Sequence, residues 1–167
     1  EACAAAVATL QAMGAKATSV SIDVTVEAQV EEMTQRVVAE LGGYDILVCS
    51  AGIVGRNAFA WETSAEEWRE VLDINLTGVW LCNKHALSVM RPADYGRIVN
   101  IASMAALAPT PGMSYYNASK CGLAGASEAL RGELRRSGVN VVTVYPGIIG
   151  DTDMAKAGLE AYDTTWM

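Results

Sequence analysis

Two residues near the middle of the chain have the types and the spacing of an acid/base pair. Tyr116 and Lys120 stand four positions apart, so on a helix their side chains lie one turn above each other and can act on one ligand. A free phenol has a pKa of about 10, too high for efficient proton transfer at neutral pH, and a close ammonium favours the phenolate and lowers that value. The pair is therefore a candidate general acid/base. Ser103 adds a third group: it directly follows a run that reads as a buried strand and precedes Tyr116 by thirteen residues, where its hydroxyl can polarise a substrate carbonyl. Asn75 lies in a helical stretch that an asparagine suits poorly; it either marks a kink or uses its amide to hold a water near the lysine. Each of the four also has a plain structural reading, as a packing tyrosine, a snorkelling lysine, a capping serine and an asparagine at a bend. Together they have a chemical logic that each lacks alone.

The elements that must position these groups follow from periodicity. An alanine-rich opening helix is turned by Gly14, and residues 17–22 alternate small or polar with apolar side chains, which predicts a strand ending at Asp23. Thr25 then caps a helix carrying Val30, Met33, Val37 and Leu41 at intervals of three and four, stopped by Gly42 and Gly43. Residues 45–49, Asp-Ile-Leu-Val-Cys, form the short apolar run of a strand covered on both faces. Ser64 and Glu67 make a capping box opening a helical stretch to about Met90, with an interruption expected at 75–78. Residues 97–102 read as a further strand, 114–136 as a helix with Tyr116, Lys120, Leu123, Ser127, Leu130 and Leu134 in one stripe, and 139–145 as the last strand, ended by Pro146 and Gly147. This alternation predicts an α/β fold, a Rossmann-like doubly wound parallel sheet with helices on both faces. Ligands then sit beyond the carboxyl ends of the strands, which selects Asp23 and Val24, Cys49 to Gly52, Ser103 onward, and Pro146 and Gly147 onward.

With 167 residues, 51% of them hydrophobic, the chain suits one domain. Nineteen acidic against twelve basic residues give a net charge of -7, with no basic run to follow a phosphate backbone, so nucleic acid is not an expected partner. The four cysteines follow no metal-ligand spacing and read as reduced packing residues of a cytoplasmic protein; no metal site is expected. The first thirteen residues lack a basic leader and carry Gln11, so they read as helix rather than secretory signal. No run approaches the eighteen or so apolar residues of a membrane span. The single histidine, His85, sits in a helix and reads as a surface or packing residue.

Four strings in order, residues 96–103 (Gly-Arg-Ile-Val-Asn-Ile-Ala-Ser), 116–120 (Tyr-Asn-Ala-Ser-Lys), Pro146-Gly147, and Asn75-Leu76-Thr77-Gly78 upstream, closely resemble the classical short-chain dehydrogenase/reductases over nearly the whole chain. The resemblance implies that Tyr116 exchanges a proton with the substrate oxygen, Ser103 hydrogen-bonds that oxygen, Lys120 binds the nicotinamide ribose while lowering the Tyr116 pKa, and Asn75 holds a water in the proton relay. It implies NAD or NADP as cofactor. Asp23 and Val24 match the adenine-contacting pair, Ala51 and Gly52 the end of the family's Asn-Asn-Ala-Gly motif, and Pro146, Gly147, Ile149 and Thr152 the segment that seats the carboxamide. Cys49 and Ser50 replace the usual asparagines, which bears on side-chain hydrogen bonds there but not on backbone approach. The stretch from Gly147 to Thr152 is one residue longer than usual. The family's opening strand and glycine-rich loop are not in the sequence, which predicts residues 1–167 to be a single partial NAD(P)-binding domain, with 150–167 beginning a substrate lid. Met104, Leu107 and Met113 point to a partly apolar pocket for a small carbonyl or alcohol. Gly122, Gly125, Ala126 and Ala129 give the Tyr116 helix a small-residue face suited to a homodimer or homotetramer. The competing expectations are a non-catalytic binding or scaffold protein on the same fold, and a truncated, inactive fragment.

Overall fold

Runs of β-branched residues with no charge on their inner positions make three strands, β1 (Ile46–Cys49), β2 (Gly96–Ile101) and β3 (Val139–Val144), in the computed structural model, which describes residues 2–150. They pair in parallel in the order β1-β2-β3, with Leu47 opposite Ile98 and Ile98 opposite Val141. Parallel neighbours need crossover connections. Helices α3 (Ala65–Leu72) and α4 (Val79–Met90) make the first crossover and α5 (Ser114–Glu133) the second.

Leu47, Cys49, Ile98, Val139 and Val141 point to one face of the sheet and pack with Val79, Leu81, Cys82, Ala86 and Met90 of α4 and with Leu123 and Leu134 beside them. Helix α2 (Glu27–Leu41) contributes Val30 to the same core. Asn100, fully buried in β2, donates from Nδ2 to Ser127 Oγ at 3.0 Å and so pins α5 onto the central strand. On the opposite face Ile46, Val48, Val142 and Val144 are exposed. The parallel, Rossmann-like sheet with βαβ crossovers is the architecture expected, and the described residues cover one of its two faces.

Local signals explain most boundaries. Ser64 Oγ accepts from Glu67 N at 3.1 Å while Glu67 Oε2 accepts from Ser64 N at 2.8 Å, a capping box that satisfies two otherwise unpaired donors at the start of α3. Gly42 ends α2 in the left-handed region at φ 93°. Between β2 and β3 the chain closes tightly: Asp94, at φ 49°, accepts from Gly138 N through Oδ1 at 2.7 Å. A Cβ on Gly138 would lie 1.7 Å from Asp94 O, so no other residue fits there.

Three expectations are corrected. Residues 17–22 form no strand, because among the described residues no neighbour offers them a ladder; Ile22 packs on the core and Val20 is exposed. Thr25 does not cap α2. Its N–H and Oγ1 both donate to Asp23 Oδ1, at 2.9 and 2.7 Å, and the N-cap residue is Val26, with no side-chain cap. α5 also ends at Glu133, three residues before the expected 136. Opening helix α1 (Ala2–Ala12) is almost wholly exposed.

Replacement of Gly138 by alanine is expected to cost about 2–3 kcal/mol, since a main-chain clash cannot relax by rotamer change. Ser64→Ala should cost about 1 kcal/mol. Chemical denaturation of the two variants should show lower midpoints with an unchanged dependence on denaturant, the glycine variant the lower of the two.

Candidate active site

The carboxyl end of β2 is where the chemistry-bearing side chains meet. Helix α5 starts in the loop that follows β2, and its inward stripe buries Tyr116, Lys120, Leu123 and Ser127, with Leu130 only half-buried. Lys120 Nζ donates to Ile101 O, the last carbonyl of β2, at 2.9 Å and stands 5.7 Å from the centre of the Tyr116 ring. Burial pushes the Lys120 pKa down from the ordinary lysine value. Ile101 is two residues before Ser103, so the lysine, the phenol and the serine all belong to one end of the sheet.

Ser103 fulfils both of its readings. Its Oγ caps the short turn Met104–Ala106 by accepting from Ala105 N at 3.1 Å. The hydroxyl proton is left to another acceptor. Ala102 N donates to Val144 O at 2.8 Å and Met104 N to Pro146 O at 2.9 Å, so the segment with Pro146 and Gly147 runs directly beside Ser103.

Asn75 is completely buried, inside a π-helical segment, Asp73–Gly78, that joins α3 to α4. The interruption expected at 75–78 is thus a widened turn rather than a break. Such turns arise from one extra residue in a helix and favour functional sites. Asn75 Oδ1 accepts from Ile53 N at 2.8 Å; Nδ2 donates to Ile53 O at 2.8 Å and to Ser119 Oγ at 3.1 Å. Both amide hydrogens are therefore taken by protein, which leaves an Oδ1 lone pair as the only side-chain position for a further partner. Gly52 lies against this group: a Cβ there would sit 3.2 Å from Asn75 Oδ1 and 3.6 Å from Lys120 Nζ. The glycine is what lets the loop after β1 approach both residues at once.

The outlying positions are less tightly joined. Asp23 is exposed, and its pKa is lowered by the N–H and then the hydroxyl of Thr25. Val24 packs against Gly78, where a Cβ would come within 2.7 Å of Val24 Cγ2, so this pair sits beside the π segment. Ala51 and Ile149 are exposed at the same edge. Thr152 and the expected lid, except Gly150, lie outside the described residues. Of the cysteines, Cys49 and Cys82 pack in the core as expected, whereas Cys3 and Cys121 are exposed, a correction that follows from their outward helix positions. Cys49 Sγ stands 3.6 Å from Asn83 Oδ1, and contact with Cys82 together with burial drives its pKa up. It is a core residue at the place where the family carries asparagine. His85 Nε2 lies 3.2 Å from Glu27 Oε1, joining α4 to α2 away from these residues.

Ser119 and Gly55 escaped the sequence reading. Ser119 was visible as a polar residue in mid-helix, a type that needs an explanation when it is buried. Gly55, at φ 79°, would place a Cβ 2.6 Å from Tyr115 Cε2, so it seats the loop on the residue next to Tyr116.

A family model described as short chain dehydrogenase matches residues 1–163, and the chain belongs to that family. It is 40% identical over 127 residues to a 2-dehydro-3-deoxy-L-rhamnonate dehydrogenase (NAD(+)) of Sphingomonas sp. (strain SKA58), covering 76% of this chain and 51% of the relative. It is also 40% identical over 152 residues to a cis-4-hydroxycyclohexanecarboxylate dehydrogenase of Sinomonas cyclohexanicum, covering 91% of this chain and 60% of the relative. Among solved structures, an NAD+-bound xylitol dehydrogenase superposes with a TM-score of 0.92 at 32% identity, over 96% of this chain and 62% of that one. A family member from Burkholderia phymatum in complex with NAD gives 0.86 at 32% identity, over 97% and 58%. The chain thus spans between 51% and 62% of the length of these relatives.

Asn75→Ala strips partners from both backbone groups of Ile53. It is expected to cost about 2 kcal/mol of stability, because each buried polar group left unpaired carries its own desolvation penalty. A thermal or denaturant unfolding curve checks it, and a loss under about 0.5 kcal/mol would show that water replaces the amide.

Proposed function

We propose that this chain carries the catalytic centre of an NAD(P)-dependent oxidoreductase that interconverts a small carbonyl compound and its alcohol. The observation that carries this reading is the convergence of a phenol, an ammonium and a hydroxyl at the carboxyl end of β2. Lys120 is held there by Ile101 O, Tyr116 lies one helical turn away on the same buried stripe, and Ser103 lies two residues beyond Ile101. The enzymatic names of the relatives and the dinucleotides in the solved structures point the same way.

The fit of a nicotinamide dinucleotide is tested at Gly52. A Cβ there would stand 3.2 Å from Asn75 Oδ1 and 3.6 Å from Lys120 Nζ, so the bare backbone keeps side-chain atoms away from the ammonium, which fits a cofactor ribose at Lys120. The nicotinamide end would be held by Lys120, Ala51, Gly52, Pro146, Gly147 and Ile149, with Thr152 further along, and the adenine end by Asp23 and Val24. The bound cofactor supplies the hydride.

The chain's own groups handle the proton and the charge. Tyr116 gives its hydroxyl proton to the carbonyl oxygen on reduction and takes it back on oxidation. Ser103 donates a hydrogen bond to that oxygen. Ala105 N occupies one lone pair of Oγ, which leaves the serine proton available for the substrate oxygen. Lys120 uses one of its three N–H donors on Ile101 O, leaves two for ribose hydroxyls, and holds positive charge near the phenolate that Tyr116 becomes. A water of the relay would be bound by Asn75 Oδ1, its amide hydrogens being taken.

Residues Met104, Leu107 and Ile148 expose apolar surface beside Ser103, which suits a substrate with an apolar body. The protein is proposed to form a homodimer or homotetramer through α4 and α5. A groove of about 630 Å³ between them is lined by Trp80, Leu87, Ala126, Ala129 and Leu130, and Gly125 beside it is exposed. Gly122, expected on that face, instead packs on Leu76 of its own chain. We propose a cytoplasmic setting, with Cys49 and Cys82 serving as packing residues of the core. Among the described residues no helix is long and apolar enough to cross a membrane.

Turnover of a panel of ketones and alcohols by the full-length protein, with both dinucleotides, tests the reading. Tyr116→Phe should lower kcat by about 10³-fold, the usual worth of a positioned acid/base, while changing the dinucleotide dissociation constant by less than about threefold. A phenylalanine variant that turns over like the parent would overturn it. Light scattering should give a mass of two or four subunits, and Ala126→Arg should lower that mass.

A further inference from the structure

Ser119 stands between the acid/base residues in sequence and is completely buried. Its Oγ makes two hydrogen bonds: it donates to Tyr116 O at 2.8 Å and accepts from Asn75 Nδ2 at 3.1 Å. Through Asn75 the connection continues to both backbone groups of Ile53, next to Gly52. One unbroken series of bonds thus runs from the loop after β1, through the π segment, to the carbonyl of Tyr116.

The start of α5 needs such a tie. Its N-cap residue, Met113, makes no side-chain cap, and Tyr116 is only the third residue of the helix. First turns without caps fray. Asn117 Nδ2 steadies the entry by donating to Thr110 O at 2.7 Å, but that bond reaches only the preceding loop. The bond from Asn75 to Ser119 joins the first turns of α5 to a different element. Gly122, one turn further along the same face, shows how close the two elements come: a Cβ there would stand 2.9 Å from Leu76 Cδ2, next to Asn75 in the π segment.

We infer that Ser119 is a positioning residue, which keys the first turns of α5 to the Asn75 segment and so sets the Tyr116 hydroxyl relative to the Gly52 loop. This rests on the oxidoreductase reading above. Ser119 touches no substrate. It acts by holding the backbone from which Tyr116 projects, and an error of about 1 Å in a reacting group is enough to slow a chemical step by one to two orders of magnitude.

The test is steady-state kinetics of the full-length protein well below its melting transition, with unfolding curves and dinucleotide titrations alongside. Ser119→Ala should lower kcat about tenfold and leave KM for the carbonyl substrate and for the dinucleotide within about twofold. Asn75→Ala/Ser119→Ala should be no more than about threefold slower than the slower single variant, because both changes cut the same connection. A Ser119→Ala enzyme with parent kcat and a lowered melting temperature would make the residue a stabiliser alone and overturn the inference, as would losses that multiply in the double variant. If Ser119→Ala does not fold, Ser119→Cys carries the same test, since its thiol keeps the volume and donates only weakly. Tyr116→Phe in the same series separates the two levels. If that variant keeps turnover, the oxidoreductase reading fails; if it is dead while Ser119→Ala behaves as the parent, only the role of Ser119 fails.

Discussion

An ammonium taken out of water has to be given acceptors or it sheds its proton. Lys120 is the place where this constraint governs the molecule. Its acceptor is the last carbonyl of the central strand, one residue beyond the point where β1 ends, Cys49 standing opposite Asn100. The end of the strand, the start of the turn and the stripe on α5 have to agree to within a hydrogen bond for the charge to be kept. The same agreement brings the phenol and the hydroxyl into one region. Asn100 and Ser127, lower on the same strand and helix, hold the pair in register without taking part in chemistry.

How much of this was legible in the sequence depends on whether the signal was local. Ser64 with Glu67, Gly42, and the runs at 45–49 and 97–102 state their structure within a few residues, the two strands being found at 46–49 and 96–101. Tyr116 and Lys120 were legible for the same reason, four residues on one helix being a local geometry. The segment at 17–22 was not: its alternation is that of a strand, but a strand exists only when another chain segment accepts its backbone groups, and that lies outside any local window. Thr25 was misread because a carboxylate two residues before it competes for the same hydroxyl. The commitments of the Asn75 amide were beyond sequence altogether, since Ile53 and Ser119 are distant in the chain and meet only after folding.

The departure from the family pattern at Cys49 falls within the described residues. Cys49 occupies a position where a polar side chain is usual, and here the side chain turns into the core beside Cys82. The backbone that follows, Ala51 to Ile53, still makes its approach, because that approach depends on Gly52 and on Asn75 rather than on the residue at 49. The exchange of asparagine for cysteine therefore moves polarity out of the strand and leaves the loop to be fastened from the helix side.

The π segment carries a consequence for how the chain tolerates change. One residue more than a regular helix needs is stored between Asp73 and Gly78, and the surplus lets α3 and α4 each present its own face inward while Asn75 aims at Ile53. Deleting one surplus position there would let ordinary winding return with α3 and α4 keeping their phase, because the wide turn already absorbs the extra residue, and the loss would fall on the aim of Asn75 at Ile53. Point substitutions on the exposed side of α3 leave the phasing untouched. A deletion within α3 itself would instead turn that helix by about 100° relative to Asn75, since there each residue is part of regular winding.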